Sequence, residues 1–135
     1  MKVVAAILIY DKKVLAFKRP YAKKNPQISL KYEFPGGKVK RNETEVFSLK
    51  RELMEELELK VKNLKKYFKT SHNYVDYKVD ISFYISYIDS LNFNLNVHDE
   101  YKIVNVKHLK SLDWLQADYA VIDHIQKFGF PKKLI

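Results

Sequence analysis

FPGGKVKRNETEVFSLKRELMEELEL, Phe34–Leu59, holds the densest group of carboxylates in a chain whose formal net charge is +9. Thr44–Leu57 has helical periodicity: Val46, Leu49, Leu53 and Leu57 fall at i, i+3, i+7 and i+11 and form one apolar stripe. Thr44 or Asn42 is placed to cap its start. Glu52, Glu55 and Glu56 stand at i, i+3 and i+4, and so share one face within a single turn. Like charges at that spacing repel by roughly 0.2–0.5 kcal/mol per pair. A solvated acidic face tolerates that, with Lys50 and Arg51 as weak surface partners. So many oxygens in one place also suit a hard divalent cation such as Mg²⁺ or Mn²⁺. Just upstream, Pro35-Gly36-Gly37 reads as a turn whose bare backbone can approach a ligand.

Around this helix the pattern is mostly extended. Val3–Ile9 reads as a buried strand, with Val14–Lys18 as its hairpin partner across Asp11-Lys12-Lys13. Pro20–Leu30 is polar, contains Pro26 and reads as a loop, and Tyr32–Phe34 as a short extended piece. Val79, Ile81, Phe83, Ile85 and Tyr87 alternate with Lys78, Asp80, Ser82, Tyr84 and Ser86, which predicts a half-buried strand. Leu64–Thr70 is its expected partner, through a turn at His72-Asn73. Tyr101–Val106 predicts a further strand, and Val106–Leu112 a short helical turn. Ala117–Phe128 predicts a closing helix, with Ala120, Val121, His124, Ile125 and Phe128 at helical spacing and Gly129 beyond its end. Strands on both sides of a helix, closed by a second helix, point to an α/β layered domain.

With 135 residues, the chain is expected to form one domain, 1–135, around one core. It has no cysteine, which excludes disulfides and thiolate metal sites and fits a reducing cytoplasm. Met1–Tyr10 is too short an apolar run for a leader, and no stretch approaches the roughly 20 apolar residues of a membrane span. The positive charge comes mostly from scattered lysines, because the only arginines are Arg19, Arg41 and Arg51. That disfavours a nucleic-acid footprint and favours a solvated lysine surface, which also draws in polyphosphates.

From Gly37 to Leu59 the array is G-x5-E-x7-R-E-L-x-E-E-x-x-L. It resembles the box of the Nudix hydrolases, G-x5-E-x7-R-E-U-x-E-E-x-G-U, where U is aliphatic. Gly37, Glu43, Arg51, Glu52, Leu53, Glu55, Glu56 and Leu59 match it, and Glu58 replaces the late glycine. The resemblance implies the Nudix fold, a mixed sheet between helices with the box as loop–helix–loop. It also implies Mg²⁺-dependent hydrolysis of a diphosphate linked to another group, usually a nucleoside. Glu52, Glu55, Glu56 and the Gly37 carbonyl would then be metal ligands. Glu43 and Arg51 would hold the loop against the helix, and Glu55 or Glu56 would be the base. A non-glycine residue in a left-handed conformation costs roughly 1–2 kcal/mol, so Glu58 is expected to strain the helix end without touching a ligand.

Other segments resemble particular Nudix branches. LKYEFPGG, Leu30–Gly37, is similar to the L-E-F-P-G-G lead-in of the MutT branch, which acts on nucleoside triphosphates; there the positions of Glu33 and Phe34 lie beside the nucleotide. Phe34 also reads as a core aromatic before the turn. LDWLQAD, Leu112–Asp118, resembles L-D-W-x-P-A-D of pyrophosphohydrolases that take CTP or oxidised guanine nucleotides. Asp118 matches their base-reading Asn or Asp, and a helix-capping role is compatible with that. HNY, His72–Tyr74, resembles a signature of the same group, where Tyr74 either stacks on a base or packs in the sheet. Arg19 or Lys18 would face phosphate or base. Many relatives carry Glu-His before the late strand, then Trp; this chain has Val97-His98 and Ile103. A carboxylate is thus missing at Val97, and Glu100 is the candidate replacement as ligand or base.

The expectation is a nucleoside triphosphate pyrophosphohydrolase with a small-molecule nucleotide as partner, monomeric or homodimeric. Its leading substrates would be 8-oxo-dGTP and CTP or dCTP. ADP-ribose or a dinucleoside polyphosphate is the alternative within the family. A non-catalytic module that reads nucleotides or RNA is the alternative outside it, disfavoured by the intact, mutually repelling glutamates.

Overall fold

The computed structural model describes residues 1–131. Its centre is β1, Lys2–Tyr10, an apolar strand with both faces buried. One edge of β1 runs parallel to β6, Lys78–Tyr87, from Lys2 opposite Asp80 to Ile9 opposite Tyr87. The other edge is shared. Val3–Ala5 pairs antiparallel with β4, Gly36–Lys38, and Ile9–Tyr10 with β2, Lys13–Lys18. The β1–β2 turn needs only Asp11 and Lys12, both at positive φ, the geometry of a tight hairpin. β2 carries β3, Tyr32–Glu33, on one edge and β7, Glu100–Val104, on the other. β5, Lys65–Asn73, lies outside β6.

This mixed sheet sits between two helical layers, the architecture implied by the resemblance. α1, Glu45–Leu57, covers one face and buries Leu49, Leu53 and Leu57 against Val4, Ala6, Leu8, Leu15 and Phe17. The short 3-10 segment Val106–Ser111 and α2, Tyr119–Phe128, cover the other. There Trp114, Val121, Ile122 and Ile125 meet Ile7, Phe34, Phe83 and Ile85. No helix among the described residues is long and apolar enough to cross a membrane.

Four local expectations are corrected. Gly36-Gly37 is not a turn but strand β4, and the Pro35 carbonyl already accepts from the Ala6 amide at 2.8 Å. Its glycine content reflects close approach: a Cβ on Gly36 would lie 2.0 Å from the Val4 carbonyl oxygen. The β5–β6 turn is Tyr74–Tyr77, closed by the Tyr74 amide on the Tyr77 carbonyl at 2.8 Å, while His72 and Asn73 remain in the strand. β6 is buried on both faces rather than one, because α1 covers Ser82 and Tyr84. On the helices, Val46, Ala120 and Phe128 are exposed, and Ile122 joins the buried face of α2.

Glu45 locks α1 onto the sheet. Its carboxylate accepts from Tyr84 Oη at 2.7 Å and Ser82 Oγ at 3.0 Å, and pairs with Lys2 and Lys66 at 3.1 and 3.2 Å. Burial raises the pKa of this carboxyl, but the bonds from Tyr84, Lys2, Lys66 and Ser82 outweigh it and hold it at about 2. The folded value lies below the unfolded one, so this stabilisation is present above about pH 4.5 and is lost as pH falls towards 2. Allowing for solvent screening of the exposed lysines, Glu45→Gln is expected to cost about 1 kcal/mol, or about 3–5 °C in Tm, at neutral pH. The gap between variant and parent should close on acidification through that window; thermal melts from pH 7 to pH 2.5 measure it.

Candidate active site

The box helix starts where Thr44 Oγ1 accepts from the Phe47 amide at 3.1 Å. The loop before it is keyed to the helix by Arg51. Its Nε and Nη2 donate to the two Glu43 oxygens at 2.7 and 2.8 Å, and Nη1 donates to Glu52 Oε1 at 2.9 Å. Glu43 also accepts from the Lys40 amide at 2.9 Å. The guanidinium holds the Glu43 carboxyl down at about 2.

Past this pair the helix presents its carboxylates. Glu52 lies against Gly37, where a Cβ would come within 2.5 Å of the Glu52 carboxyl carbon. Glu55 is half exposed, with an oxygen 3.4 Å from Arg51. Glu56 is 7% exposed. Burial, then the neighbouring charge of Glu33 and the hydrogen bond with Glu52, push its carboxyl up to about 9, and Arg19 offsets only part of this. Glu33, from β3, accepts from Arg19 Nη1 at 3.1 and 3.2 Å and lies 2.7 Å from His98 Nε2. The ligand atoms of Glu33, Glu56 and His98 all lie within 4.8 Å of one another.

Beside this cluster opens a cleft of about 550 Å³, walled by Arg19, Glu33, Phe34, Gly37, Tyr74 and Asp118 among others. Phe34 is a core residue as well as a wall: its ring packs 4.7 Å from Trp114. The Tyr74 ring packs against His72 and Tyr77, and its hydroxyl accepts from the Ala117 amide at 3.3 Å. Asp118 is 5% exposed and makes no capping bond to α2. Burial and the Glu33 charge push its carboxyl well up, against a bond from the Phe34 amide, and its Oδ2 has no partner. A buried polar atom without a partner in a cleft wall is a place for a ligand's hydrogen bond.

Glu33, Gly37, Glu52, Glu56 and Arg19 are therefore brought together, with Glu43, Arg51 and Glu55 on the same turn and loop. Glu100 is not in the cluster; its carboxylate accepts from the Tyr32 hydroxyl at 2.6 Å. His98 stands there instead. The sequence there points to a missing carboxylate at Val97, and nothing in it singles out the imidazole of His98. Leu91–Asn96, LNFNLN, is a second segment of the site whose one sequence signal is its alternation. The leucines and Phe93 pack onto the α1 layer. Asn94 N donates to Leu57 O at 2.8 Å, Asn96 N to Glu56 O at 2.9 Å, and Asn96 Nδ2 to Glu55 O at 3.0 Å. The last carbonyls of the box helix thus gain partners from another segment.

The donor set fits a divalent cation. Glu33, Glu43, Glu52, Glu55 and Glu56 crowd around two guanidiniums, Arg19 and Arg51. The bare Gly37 backbone lets Glu52 close on the loop. Cations with oxygen ligands relieve such an excess of negative charge.

Residues 1–127 match the NUDIX domain family. The chain belongs to the Nudix family. It is 31% identical over 97 residues to an 8-oxo-dGTP diphosphatase of Buchnera aphidicola subsp. Acyrthosiphon pisum, covering 71% of this chain and 77% of that protein. It is 46% identical over 59 residues to an 8-oxo-dGTP diphosphatase of Buchnera aphidicola subsp. Schizaphis graminum, a match over 44% of this chain and 43% of that one. In fold it is similar to a MutT protein from Methanosarcina mazei Go1, with a TM-score of 0.79 at 20% identity, covering 94% of this chain and 92% of that one. It is thus a Nudix hydrolase, of a family that generally uses divalent metal.

In this Nudix chain the departure at the late box glycine is visible as backbone: Glu58 sits at φ 51°, ψ 37°, in the left-handed region. The turn lets the Glu58 amide reach Met54 O at 3.0 Å and the Leu59 amide reach Leu53 O at 3.3 Å. Asn94 Nδ2 donates to the Glu58 carboxylate at 2.6 Å and returns part of the cost. Glu58→Gly should raise Tm by a few degrees at unchanged turnover; a large loss of turnover would show that the side chain acts in the site. Gly37→Ala should fold, because Glu52 is flexible enough to move aside. Its affinity for Mn²⁺, read by calorimetry, should fall about tenfold or more as Glu52 is displaced.

Proposed function

We propose that this chain hydrolyses (deoxy)nucleoside triphosphates to monophosphate and pyrophosphate with Mg²⁺, with 8-oxo-dGTP the leading substrate and CTP or dCTP next. The supporting observation is the dipeptide Glu33-Phe34. Glu33 belongs to the carboxylate cluster, while the Phe34 amide holds Asp118 and the Phe34 ring walls the cleft. One strand end thus joins a polyphosphate-handling site to a base-sized pocket. The two relatives named 8-oxo-dGTP diphosphatase favour an oxidised purine.

Glu52, Glu56 and the Gly37 carbonyl would hold the metal, with Glu55 on the same helical turn. Bound there, the ion neutralises phosphate charge and lowers the pKa of an attacking water. Arg19 lines the cleft and would bind phosphate oxygens. Tyr74 presents a ring for stacking, and Asp118 a carboxyl for the edge of the base. Glu55, the most exposed of the three box carboxylates, would take the proton of the water that attacks phosphorus. The P–O bond to pyrophosphate breaks as the new P–O bond forms.

Incubation with Mg²⁺ and a panel of 8-oxo-dGTP, dGTP, CTP, dCTP, ADP-ribose and a dinucleoside polyphosphate tests this. Pyrophosphate from triphosphates is expected; release of orthophosphate alone, or turnover of ADP-ribose only, would reject it. Glu56→Gln should lower turnover by about 10²–10³-fold or more. It should also raise Tm, since it removes a crowded, desolvated carboxyl. Loss of both activity and folding would count against a direct role.

A further inference from the structure

We propose that His98 supplies an imidazole nitrogen to a divalent cation held jointly with Glu33 and Glu56, in a nitrogen-bearing seat beside Glu52 and the Gly37 carbonyl. This rests on the metal-dependent reading above and adds to it ligands from outside the box helix. The three residues come from β3, the end of α1 and the segment before β7, yet their ligand atoms converge within 4.8 Å. His98 Nε2 is 2.7 Å from Glu33 Oε2 and 3.9 Å from Glu56 Oε1. Such edges suit atoms that share one ion at roughly 2.0–2.2 Å each.

The imidazole is held for this task. Its side chain is fully buried, and the Phe17 ring packs 5.4 Å from it. Nδ1 has no hydrogen-bond partner, so Nε2 is the nitrogen with a polar environment, and that environment is two carboxyl groups. A hydrogen bond from Nε2 serves Glu33 alone and leaves Glu33 and Glu56 repelling each other. A cation between them gives the two carboxylates and Nε2 one shared partner. The strap places the ring: Asn96 is tied to the carbonyls of Glu55 and Glu56, two residues before His98. Imidazole suits Zn²⁺, Fe²⁺ and Ni²⁺; Mn²⁺ prefers oxygen but accepts a nitrogen more readily than Mg²⁺, which keeps to oxygen. The seat therefore shifts metal preference towards Mn²⁺ relative to an all-oxygen box.

Pulsed EPR of Mn²⁺ on the full chain, without nucleotide, tests this. The expected spectrum shows a directly bound ¹⁴N, which changes to the ¹⁵N pattern when the protein carries ¹⁵N-histidine. The labelled parent needs no variant, so this readout stands even where a substitution disturbs folding. In folded His98→Gln the nitrogen signal should vanish, and the Mn²⁺ to Mg²⁺ affinity ratio should fall about tenfold. Mn²⁺ bound with oxygen signatures only overturns the proposal. So does absence of Mn²⁺ binding, or a nitrogen signal that survives in His98→Gln. Pyrophosphate assays on the same preparations separate the two claims. Release with Mg²⁺ and no nitrogen signal keeps the function and removes His98. A nitrogen signal without release from any nucleotide keeps the seat and removes the function.

Discussion

The site depends on one guanidinium. Arg51 donates to both oxygens of Glu43, to Glu52, and at longer range to the Lys38 carbonyl and Ser48. A planar fork with five donors can tie a loop carboxylate, a strand carbonyl and a helical carboxylate at once; a lysine ammonium cannot. The pair is partly buried and bidentate, which separates it from an ordinary surface ion pair. With the loop held by Glu43, β4 lies along β1, and Gly37 faces Glu52 with nothing between them. The metal-binding chemistry proposed for the box helix therefore depends on a contact that makes no demand on any metal.

The second constraint is charge. Glu33, Glu52 and Glu56 stand together, though burial and mutual repulsion raise the Glu56 carboxyl to about 9. A protein selected for stability alone would relax such a cluster, since replacing one carboxylate by an amide removes the repulsion. The structure instead spends rigid parts on holding it: Arg51 on one side, Arg19 on another, and the asparagine strap at the helix end. Strain of this kind at one place, with ordinary packing elsewhere, marks where function overrides folding.

How much of this was legible in the sequence follows from the range of each interaction. The box helix was legible because its information is local: i, i+3 and i+4 spacing fixes which carboxylates share a turn, whatever the rest of the chain does. The central strands were legible from their apolar runs and alternation. What failed were features set by distant partners. Gly36-Gly37 looks like a turn because glycine serves turns, but here its use is to let two backbones meet beside Val4. The second buried face of β6 exists only because α1 lies on it, and its Ser82 and Tyr84 are polar since they bond Glu45. The β5–β6 turn lies at Tyr74–Tyr77, which offers no Gly or Pro to announce it.

The same reasoning explains why Glu100 looked like the spare carboxylate and His98 did not. In the chain they stand two residues apart, and an argument from composition prefers the acid. In the sheet the choice is made by register. Lys18 pairs with Glu100 and Phe17 with both Tyr101 and Glu33. Phe17 and Tyr101 belong to the layer under α1, and successive side chains of a strand point to opposite faces. Glu100 is therefore turned away from that layer and meets Tyr32, whose ring belongs to the core around Trp114. Glu33 is on the α1 side, and the segment entering β7 brings His98 down onto it. Strand alternation turns the Glu100 carboxylate to a tyrosine, and the segment ahead of the strand turns the His98 imidazole to the box.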